Sequence, residues 1–336
     1  MSLSVLLPER LRSRLERGTA LRAAGYRGRY APSPSGALHW GNLRTALLSW
    51  LDARLSGGEW LLRIDDLDTP RVVPGAEERI LADLLWLGLS WDGPLLRQSE
   101  RRGLYSDVLS ALRRSGALYP CRCSRRLLAD VSAPHAPLPV YPGFCRGQLP
   151  RWGPVEGRLP SWRLRVGAGR LCWQERWDEP GELDAASAVG DVVLRRADGY
   201  IAYHLATAVD ELDQGISDVV RGADLWAATA AQVAVMQQLG AAPPRYGHVP
   251  LWRDAAGQRL SKRDGSAGLD AARQRGDDAA AVIAQLAASL DLVPAGSRLS
   301  ASELLEDLQR RQDLRKASGS SGLGRSTLLA TRDAVR

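Results

Sequence analysis

The sequence predicts an α/β fold built on a parallel sheet. Hydrophobic residues make up 45% of the 336-residue chain, enough for a substantial core. Apolar positions recur at helical spacing in several segments, and short apolar runs typical of strands lie between them. Strands that alternate with helices are typical of a parallel sheet covered by helices.

The first half of the predicted core covers residues 25–117. Its pattern predicts a strand, a turn-rich loop, a helix, a second strand and two further helices, at 26–31, 32–36, 43–51, 60–64, 80–85 and 104–112. Residues 1–24 are rich in Arg and Leu but lack a clean strand or helix stop. We therefore expect them to be a poorly ordered extension.

Regular periodicity is interrupted at residues 118–182, which contain many Pro, Trp and Cys residues and are interpreted as an insertion. The second half of the core follows at residues 183–265. Within it the pattern predicts two strands and a helix, at 192–194, 219–220 and 227–239. Residues 266–312 are rich in Ala and Leu and predicted to be helical, and residues 313–336 are predicted to be a disordered tail.

Charge and hydropathy narrow the class of protein. The formal net charge of +7 is compatible with a polyanionic partner such as RNA, and equally with an Arg-rich composition that has no such partner. No run approaches the roughly 20 apolar residues of a membrane span, and no signal-peptide core is present. We expect a cytoplasmic monomer without a membrane partner.

A strand-to-helix junction at residues 29–42 has the character of a phosphate-binding turn. Ser35, Gly36 and Gly41 carry little side-chain bulk, so a nucleotide can approach the backbone. The amides and dipole at the start of the following helix favour phosphate, and His39 lies where it can donate to the same oxygens. A bare His-x-Gly sequence is also found in ordinary βα turns with a surface histidine.

A second polar segment, residues 259–265, follows the last strand-like run of the core. It places the hydroxyl of Ser261 beside the ammonium of Lys262. An ammonium on a mobile loop is suited to charge that develops on a phosphoryl group during displacement. Alone, this segment is indistinguishable from a solvated loop. Together, the two segments match the two-part signature of class I aminoacyl-tRNA synthetases.

The resemblance becomes specific when further segments are added in chain order. The chain resembles bacterial glutamyl-tRNA synthetases at 29–91, 198–206, 215–222 and 246–251. This resemblance implies a Rossmann-type nucleotide-binding catalytic domain. It implies a glutamate pocket formed by Arg29, Tyr30, Ala31, Pro32, Ser33, Asp65, Tyr203 and Arg221. It implies an ATP site formed by His39, Gly41, Asn42, Ser261 and Lys262, with His39 and Lys262 as the catalytic residues.

Three positions depart from the pattern of that family. Asp65 stands where the family usually has the Glu that holds the substrate ammonium, which sets its carboxylate back by one methylene, roughly 1.5 Å. Asn42 replaces the second His of the ATP motif, and Arg259 replaces the first Lys of the mobile loop. Both of these replacements keep a hydrogen-bond donor for phosphate.

Three cysteines in the insertion predict a metal site. Cys121 and Cys123 lie two residues apart, and Cys145 follows a Pro-rich segment. Three thiolates of this kind are ligands that zinc prefers, although a Cys-x-Cys pair in a cytosolic chain can equally be two small buried residues. Cys172, which lies apart from this group, is expected to be a core or strand residue.

The fourth ligand comes only from resemblance. Glutamyl-queuosine tRNA(Asp) synthetases carry Cys-x-Cys followed by Tyr-x-x-x-Cys as a structural zinc site, a pattern that this chain resembles at Cys121, Cys123, Tyr141 and Cys145. The resemblance implies one zinc ion per chain with Tyr141 as a ligand. His135, on the intervening segment, is the competing candidate.

The length after the Lys loop bears on function. Only 74 residues follow Lys262, so we expect no anticodon-binding domain. The resemblance therefore implies an enzyme that activates L-glutamate with ATP and Mg²⁺ and transfers it to the queuosine base in the anticodon of tRNA(Asp). Arg122, Arg125 and Arg126 are candidates for RNA phosphate contacts. The alternatives are an activator that loads another acceptor and a non-catalytic RNA-binding paralogue.

Overall fold

The computed structural model describes residues 7–124, 127, 140–252 and 268–317. Helices and strands alternate along most of this part of the chain. The helices are α1 Glu9–Ala24, α2 Trp40–Leu55, α3 Ala76–Trp86, α4 Arg102–Arg114, α5 Tyr203–Asp213, α6 Trp226–Gln238, α7 Leu269–Gln274, α8 Ala279–Ala288 and α9 Ala301–Ala317. The strands are β1 Arg27–Tyr30, β2 Glu59–Ile64, β3 Leu96–Arg97, β4 Leu118–Cys121, β5 Ser161–Leu164, β6 Arg170–Trp173, β7 Gly181–Asp184, β8 Val193–Arg195, β9 Asp218–Gly222 and β10 Arg245–Val249.

The predicted parallel sheet is present. β1, β2 and β3 pair in parallel in that order, and β9 pairs in parallel with β10. The two groups lie side by side because the amide of Ser217, just before β9, donates to the carbonyl of Arg27 at 2.9 Å. Successive parallel strands need crossover connections, which the predicted helices α2 and α6 supply between β1 and β2 and between β9 and β10.

Two hydrophobic cores cover the two faces of this sheet. Leu61 and Val219 point into a core shared with helices α1, α4, α5 and α6, whereas their neighbours Leu62 and Val220 point into a second core. The second core is shared with α2, α3, α7, α8 and α9. Because side chains alternate across a strand, near-continuous apolar strands are expected when both faces are buried.

The insertion extends further than the sequence predicts. β4, β5 and β8 form an antiparallel sheet, and β6 and β7 form a separate antiparallel pair. The run at 192–194, predicted to resume the parallel core, instead supplies β8 and pairs with β5. The boundary predicted at residue 182 is therefore wrong. A short apolar run cannot reveal which sheet it joins, because its pattern is the same in both.

The prediction of a poorly ordered N-terminal extension is wrong for the part that the structure describes. Residues 9–24 form helix α1, and Leu11 is buried in the first core. A Cβ atom on Gly18 would lie 1.8 Å from the carbonyl oxygen of Leu212, so α1 packs directly against the backbone of the last turn of α5. Arg14 also donates to Asp213 at 2.9 Å. Because α1 contains many arginines, the narrow apolar stripe by which it packs on the core is hard to recognise in the sequence.

The C-terminal helices cover one side of the second core. Helix α9 begins at a capping box, in which the amide of Glu303 donates to the Ser300 hydroxyl at 3.2 Å and the Ser300 amide donates to the Glu303 carboxylate at 2.7 Å. It continues to Ala317, beyond the predicted boundary at residue 312. The rest of the predicted tail, 318–336, lies outside the described residues. Across the described helices, none is long and apolar enough to cross a membrane.

Candidate active site

A cavity of about 520 Å³ opens at the carboxyl ends of the parallel strands, where open α/β sheets bind ligands. It is lined by every residue predicted for the glutamate site and by the described part of the ATP site, namely Arg29, Tyr30, Ala31, Pro32, Ser33, His39, Gly41, Asn42, Asp65, Tyr203 and Arg221. Ser261 and Lys262 lie outside the described residues. Pro250, Leu251 and Trp252, which lead toward them from β10, line the same cavity.

The start of helix α2 forms one wall. His39 caps this helix, and its Nδ1 accepts a hydrogen bond from the amide of Asn42 at 3.3 Å. The Asn42 side chain accepts in turn from the His39 amide at 3.4 Å. A Cβ atom on Gly41 would lie 3.1 Å from the His39 ring, so glycine suits this tight turn. The helix N-terminus, with its positive dipole end, therefore borders the cavity.

Asp65, directly after β2, is buried and held by a buried arginine. Its carboxylate accepts from Nε of Arg63 at 2.6 Å and from a second guanidinium nitrogen of Arg63 at 3.3 Å. Burial raises the pKa of Asp65 to about 6, and the negative charge of Asp210 adds to this effect while Arg63 opposes it. The Asp65 carboxylate, which is predicted to hold a substrate ammonium, thus already accepts hydrogen bonds from Arg63 within the protein.

The two arginines of the predicted glutamate pocket have different partners. Arg29 donates to the buried carboxylate of Glu211 at 2.8 Å, so its charge is compensated inside the protein. Arg221 donates instead to the side chains of Gln232 at 2.8 Å and Thr229 at 2.6 Å. Both guanidiniums are almost fully buried at the cavity wall. Their arrangement can receive a small molecule that carries more than one carboxylate.

The three predicted cysteine ligands come together beside the predicted tyrosine. The Tyr141 hydroxyl lies 3.4 Å from Sγ of Cys121 and 3.5 Å from Sγ of Cys123. Sγ of Cys123 lies 3.7 Å from Sγ of Cys145, and the three sulfur atoms all lie within 4.8 Å of one another. A tetrahedral zinc ion with bonds of about 2.3 Å to sulfur needs sulfur atoms about 3.8 Å apart. The cluster therefore fits a tetrahedral metal.

Comparisons with known proteins agree with this geometry. The family of class I tRNA synthetases (E and Q), catalytic domain, matches residues 26–135 and 172–296. A glutamyl-Q tRNA(Asp) synthetase of Prochlorococcus marinus (strain MIT 9303) is 54% identical over 317 residues, which are 94% of this chain and 99% of that protein. One of Synechococcus sp. (strain CC9605) is 59% identical over 306 residues, or 91% of this chain and 97% of that protein. The chain belongs to the glutamyl-Q tRNA(Asp) synthetase family.

A solved structure relates this glutamyl-Q tRNA(Asp) synthetase family member to a longer enzyme. The glutamate tRNA ligase of Elizabethkingia meningosepticum, solved in complex with its amino acid, superposes with a TM-score of 0.70 at 27% identity. The match covers 84% of this chain and 64% of the ligase. The predicted class I synthetase fold is confirmed.

Two further predictions for this glutamyl-Q tRNA(Asp) synthetase family member concern Cys172 and His135. Cys172 lies on strand β6 as predicted, but it is exposed rather than in the core, and its Sγ lies 3.4 Å from a Glu182 oxygen. Strand β6 alternates buried and exposed positions, and Cys172 falls on the outer face. His135, the competing fourth ligand, lies outside the described residues.

A buried charge network behind the cavity is not predicted from the sequence of this glutamyl-Q tRNA(Asp) synthetase family member. Arg63 is fully buried, with Asp210 3.6 Å and Glu211 3.7 Å from its guanidinium nitrogens. One signal was available, because the adjacent acids Asp210 and Glu211 follow a largely apolar stretch of helix α5. Acids at buried helical positions need cationic partners. The identity of those partners depends on the tertiary structure.

Proposed function

We propose that this chain activates L-glutamate with ATP and transfers the glutamyl group to the queuosine base in the anticodon of tRNA(Asp). The observation that carries the proposal is the single cavity in which two buried arginines, a buried aspartate and a helix N-terminus meet. The names of relatives at 54% and 59% identity support the same reaction.

The proposed glutamate site uses the two arginines for two carboxylates. Arg29 and Arg221 provide guanidinium forks, which recognise carboxylates with paired hydrogen bonds. Asp65 faces the substrate ammonium, and Tyr203, which is partly exposed at the start of α5, borders the same space. Tyr30, Ala31, Pro32 and Ser33 line the same cavity and complete the proposed glutamate site.

The proposed chemistry has two steps. An oxygen of the substrate α-carboxylate attacks the α-phosphate of ATP, and pyrophosphate leaves with its Mg²⁺ to give glutamyl-adenylate. The helix N-terminus at His39, Gly41 and Asn42 faces the phosphates, and Ser261 and Lys262 stabilise the charge on the leaving group. A hydroxyl of the acceptor base then attacks the activated carbonyl and AMP leaves. We propose in addition that the protein is cytoplasmic and monomeric.

We also propose that Cys121, Cys123, Tyr141 and Cys145 hold one structural zinc ion. The Tyr141 hydroxyl accepts a hydrogen bond from the Cys145 amide at 2.9 Å, which orients the oxygen toward the sulfur atoms. The Arg163 guanidinium lies 3.8 Å over the Tyr141 ring, so its positive charge favours anionic oxygen and sulfur ligands nearby. The ion would tie β4 to the turn at residues 141–145.

Cys145→Ser should lower the bound zinc from about one ion per chain to a small fraction, because serine is a poor zinc ligand. Metal analysis of protein purified without chelator measures this stoichiometry. Cys172→Ser is the matched control, since Cys172 is exposed and lies apart from the cluster. Equal zinc in both variants, or no zinc in the unmodified protein, contradicts the proposed site.

The acceptor is tested with three RNAs and labelled glutamate. We expect tRNA(Asp) that contains queuosine to be labelled, and both the same tRNA with guanine at that position and tRNA(Glu) to remain unlabelled. Loading should weaken as salt rises, because RNA phosphates bind basic groups with release of counterions. Label on tRNA(Glu), or equal label on both forms of tRNA(Asp), rejects the acceptor while leaving glutamate activation intact.

One of the three arginines that the sequence suggests for RNA contacts has its donors engaged within the protein. The Arg122 guanidinium donates to the carbonyls of Arg151 and Arg158, each at 3.0 Å, and to that of Gly153. Its donors therefore stabilise the insertion, and it is a poor candidate for a phosphate contact. Arg125 and Arg126 lie outside the described residues.

A further inference from the structure

Arg221 is a buried cation that the described part of the protein leaves without an acidic partner in contact. Its guanidinium donates to the side chains of Gln232 and Thr229 and, at 3.4 Å, to the carbonyl of Leu225. No ion pair within 4.0 Å includes Arg221 among the residues described, whereas Arg29 pairs with Glu211 at 2.8 Å. The positive charge of Arg221 is therefore less compensated than that of Arg29 and can attract an anion in the cavity.

A histidine connects Arg221 to a carboxylate. His248 lies directly opposite Arg221 in the β9 and β10 pair, and Nε of Arg221 lies 3.3 Å from Nε2 of His248. On its other side, Nδ1 of His248 lies 2.8 Å and 3.0 Å from the two carboxylate oxygens of Glu175. Both side chains are buried, with 6% and 3% of their surfaces exposed.

The hydrogen bonds require one tautomer of this histidine. Burial lowers the pKa of His248, so the ring is uncharged at neutral pH. Because Nδ1 faces a carboxylate, it carries the proton and donates to Glu175. Nε2 is then the acceptor for the Arg221 N–H. The carboxylate thus orients the arginine through an uncharged ring instead of compensating it directly.

The insertion fixes the position of Glu175. The carbonyl of Gln174 accepts from the amide of Tyr246 at 2.8 Å, and the amide of Arg176 donates to the carbonyl of Tyr246 at 2.7 Å. Trp173 Nε1 also donates to Glu175 at 2.7 Å. A segment that the sequence places in the insertion is therefore hydrogen-bonded to β10, next to the strand that carries Arg221.

We propose that Glu175 and His248 are positioning residues that hold Arg221 in the orientation that receives a substrate carboxylate. This inference rests on the proposed function. A direct Glu–Arg pair would compensate the arginine, as Glu211 compensates Arg29. The intervening neutral ring supplies orientation and leaves the charge available, which suits a site for a dianionic amino acid.

Glutamate-dependent pyrophosphate exchange tests the proposal on the full chain. Glu175→Ala removes the acceptor for Nδ1, so the ring can present an N–H toward Arg221. We expect the KM for glutamate to rise about tenfold or more. The KM for ATP should remain unchanged. Glu175→Gln keeps an acceptor oxygen and should restore most of the affinity for glutamate.

Glu182→Ala is the matched control, since Glu182 is an exposed carboxylate of the same insertion, bonded to Arg170 and Cys172. A lower kcat with an unchanged KM for glutamate in Glu175→Ala would show a structural role only and overturn the proposal. No exchange in the unmodified protein would reject glutamate activation itself.

A spectroscopic measurement on the unmodified protein is independent of these variants. The chain has only four histidines, so the ring nitrogen signals in a ¹⁵N–¹H correlation spectrum can be assigned by replacing each in turn. We expect His248 to show a protonated Nδ1 and an unprotonated Nε2 at neutral pH. The opposite tautomer, or a doubly protonated ring, would overturn the proposed hydrogen bonds even if Glu175→Ala does not fold.

Discussion

Replacing Lys262 by alanine should lower the rate of glutamate activation by about two orders of magnitude or more. Pro250, Leu251 and Trp252, which precede this lysine in the chain, line the cavity. An ammonium that approaches the phosphates only during displacement stabilises the transition state more than bound ATP. The KM for ATP should therefore change less than kcat.

Pyrophosphate exchange at saturating glutamate measures this effect. Lys316→Ala is a suitable control, because Lys262 and Lys316 are the only two lysines of the chain. Lys262→Arg retains the charge with a different donor geometry and should lose less activity than Lys262→Ala. If kcat and the affinity for ATP fall equally in Lys262→Ala, the lysine only binds ATP and the transition-state role is wrong.

Replacing Glu211 by alanine should lower the free energy of unfolding by about 3 to 5 kcal/mol. Its carboxylate, 1% exposed, lies 2.8 Å from Arg29 and 3.7 Å from Arg63. Removing it leaves two buried guanidiniums with one fewer counter-charge behind the cavity. Asp65 and Asp210 compensate Arg63 in part, whereas Arg29 has no other ion-pair partner in the described part of the chain.

Urea denaturation at pH 7 measures this loss, and Glu306→Ala on the exposed face of α9 should change stability by less than about 0.5 kcal/mol. Burial raises the pKa of Glu211, but Arg29 and Arg63 outweigh it and hold this pKa below its ordinary value of 4.5. The stabilisation is thus present above pH 4.5 and lost as pH falls through the lower, folded-state pKa. The difference between Glu211→Ala and the unmodified protein should narrow in acid; a constant difference would show that charge is not its source.

Local pattern predicts the parts of the site that belong to single strand and helix ends. The turn after β1 and the first turn of α2 lie close together in the chain, so their residues could be assigned from residues 29–42 alone. The pairing of the charged residues behind the cavity cannot be predicted in this way. Arg29 and Glu211 are 182 residues apart, and Glu175 and His248 are 73 apart, so no local spacing indicates that they meet.

The cysteine site also combines ligands that local spacing predicts with one that depends on the tertiary structure. The spacing of Cys121 and Cys123 predicts two ligands on one short segment, and Cys145, which is also predicted, follows the turn at Gly143, whose φ of 87° favours glycine. The choice between Tyr141 and His135 depends on how the intervening segment is placed. Periodicity carries no information on that placement.

The contact between α1 and α5 has a consequence for the order in which the chain acquires its structure during translation. Arg14 and Asp213 are separated by 199 residues, so at 5 to 20 residues per second α1 leaves the ribosome about 10 to 40 s before its docking surface exists. Leu7 and Leu11, which end in the first core, lack the part of that core formed by α5 throughout that interval. Docking of α1 on α5 therefore cannot be completed during synthesis until Asp213 has emerged.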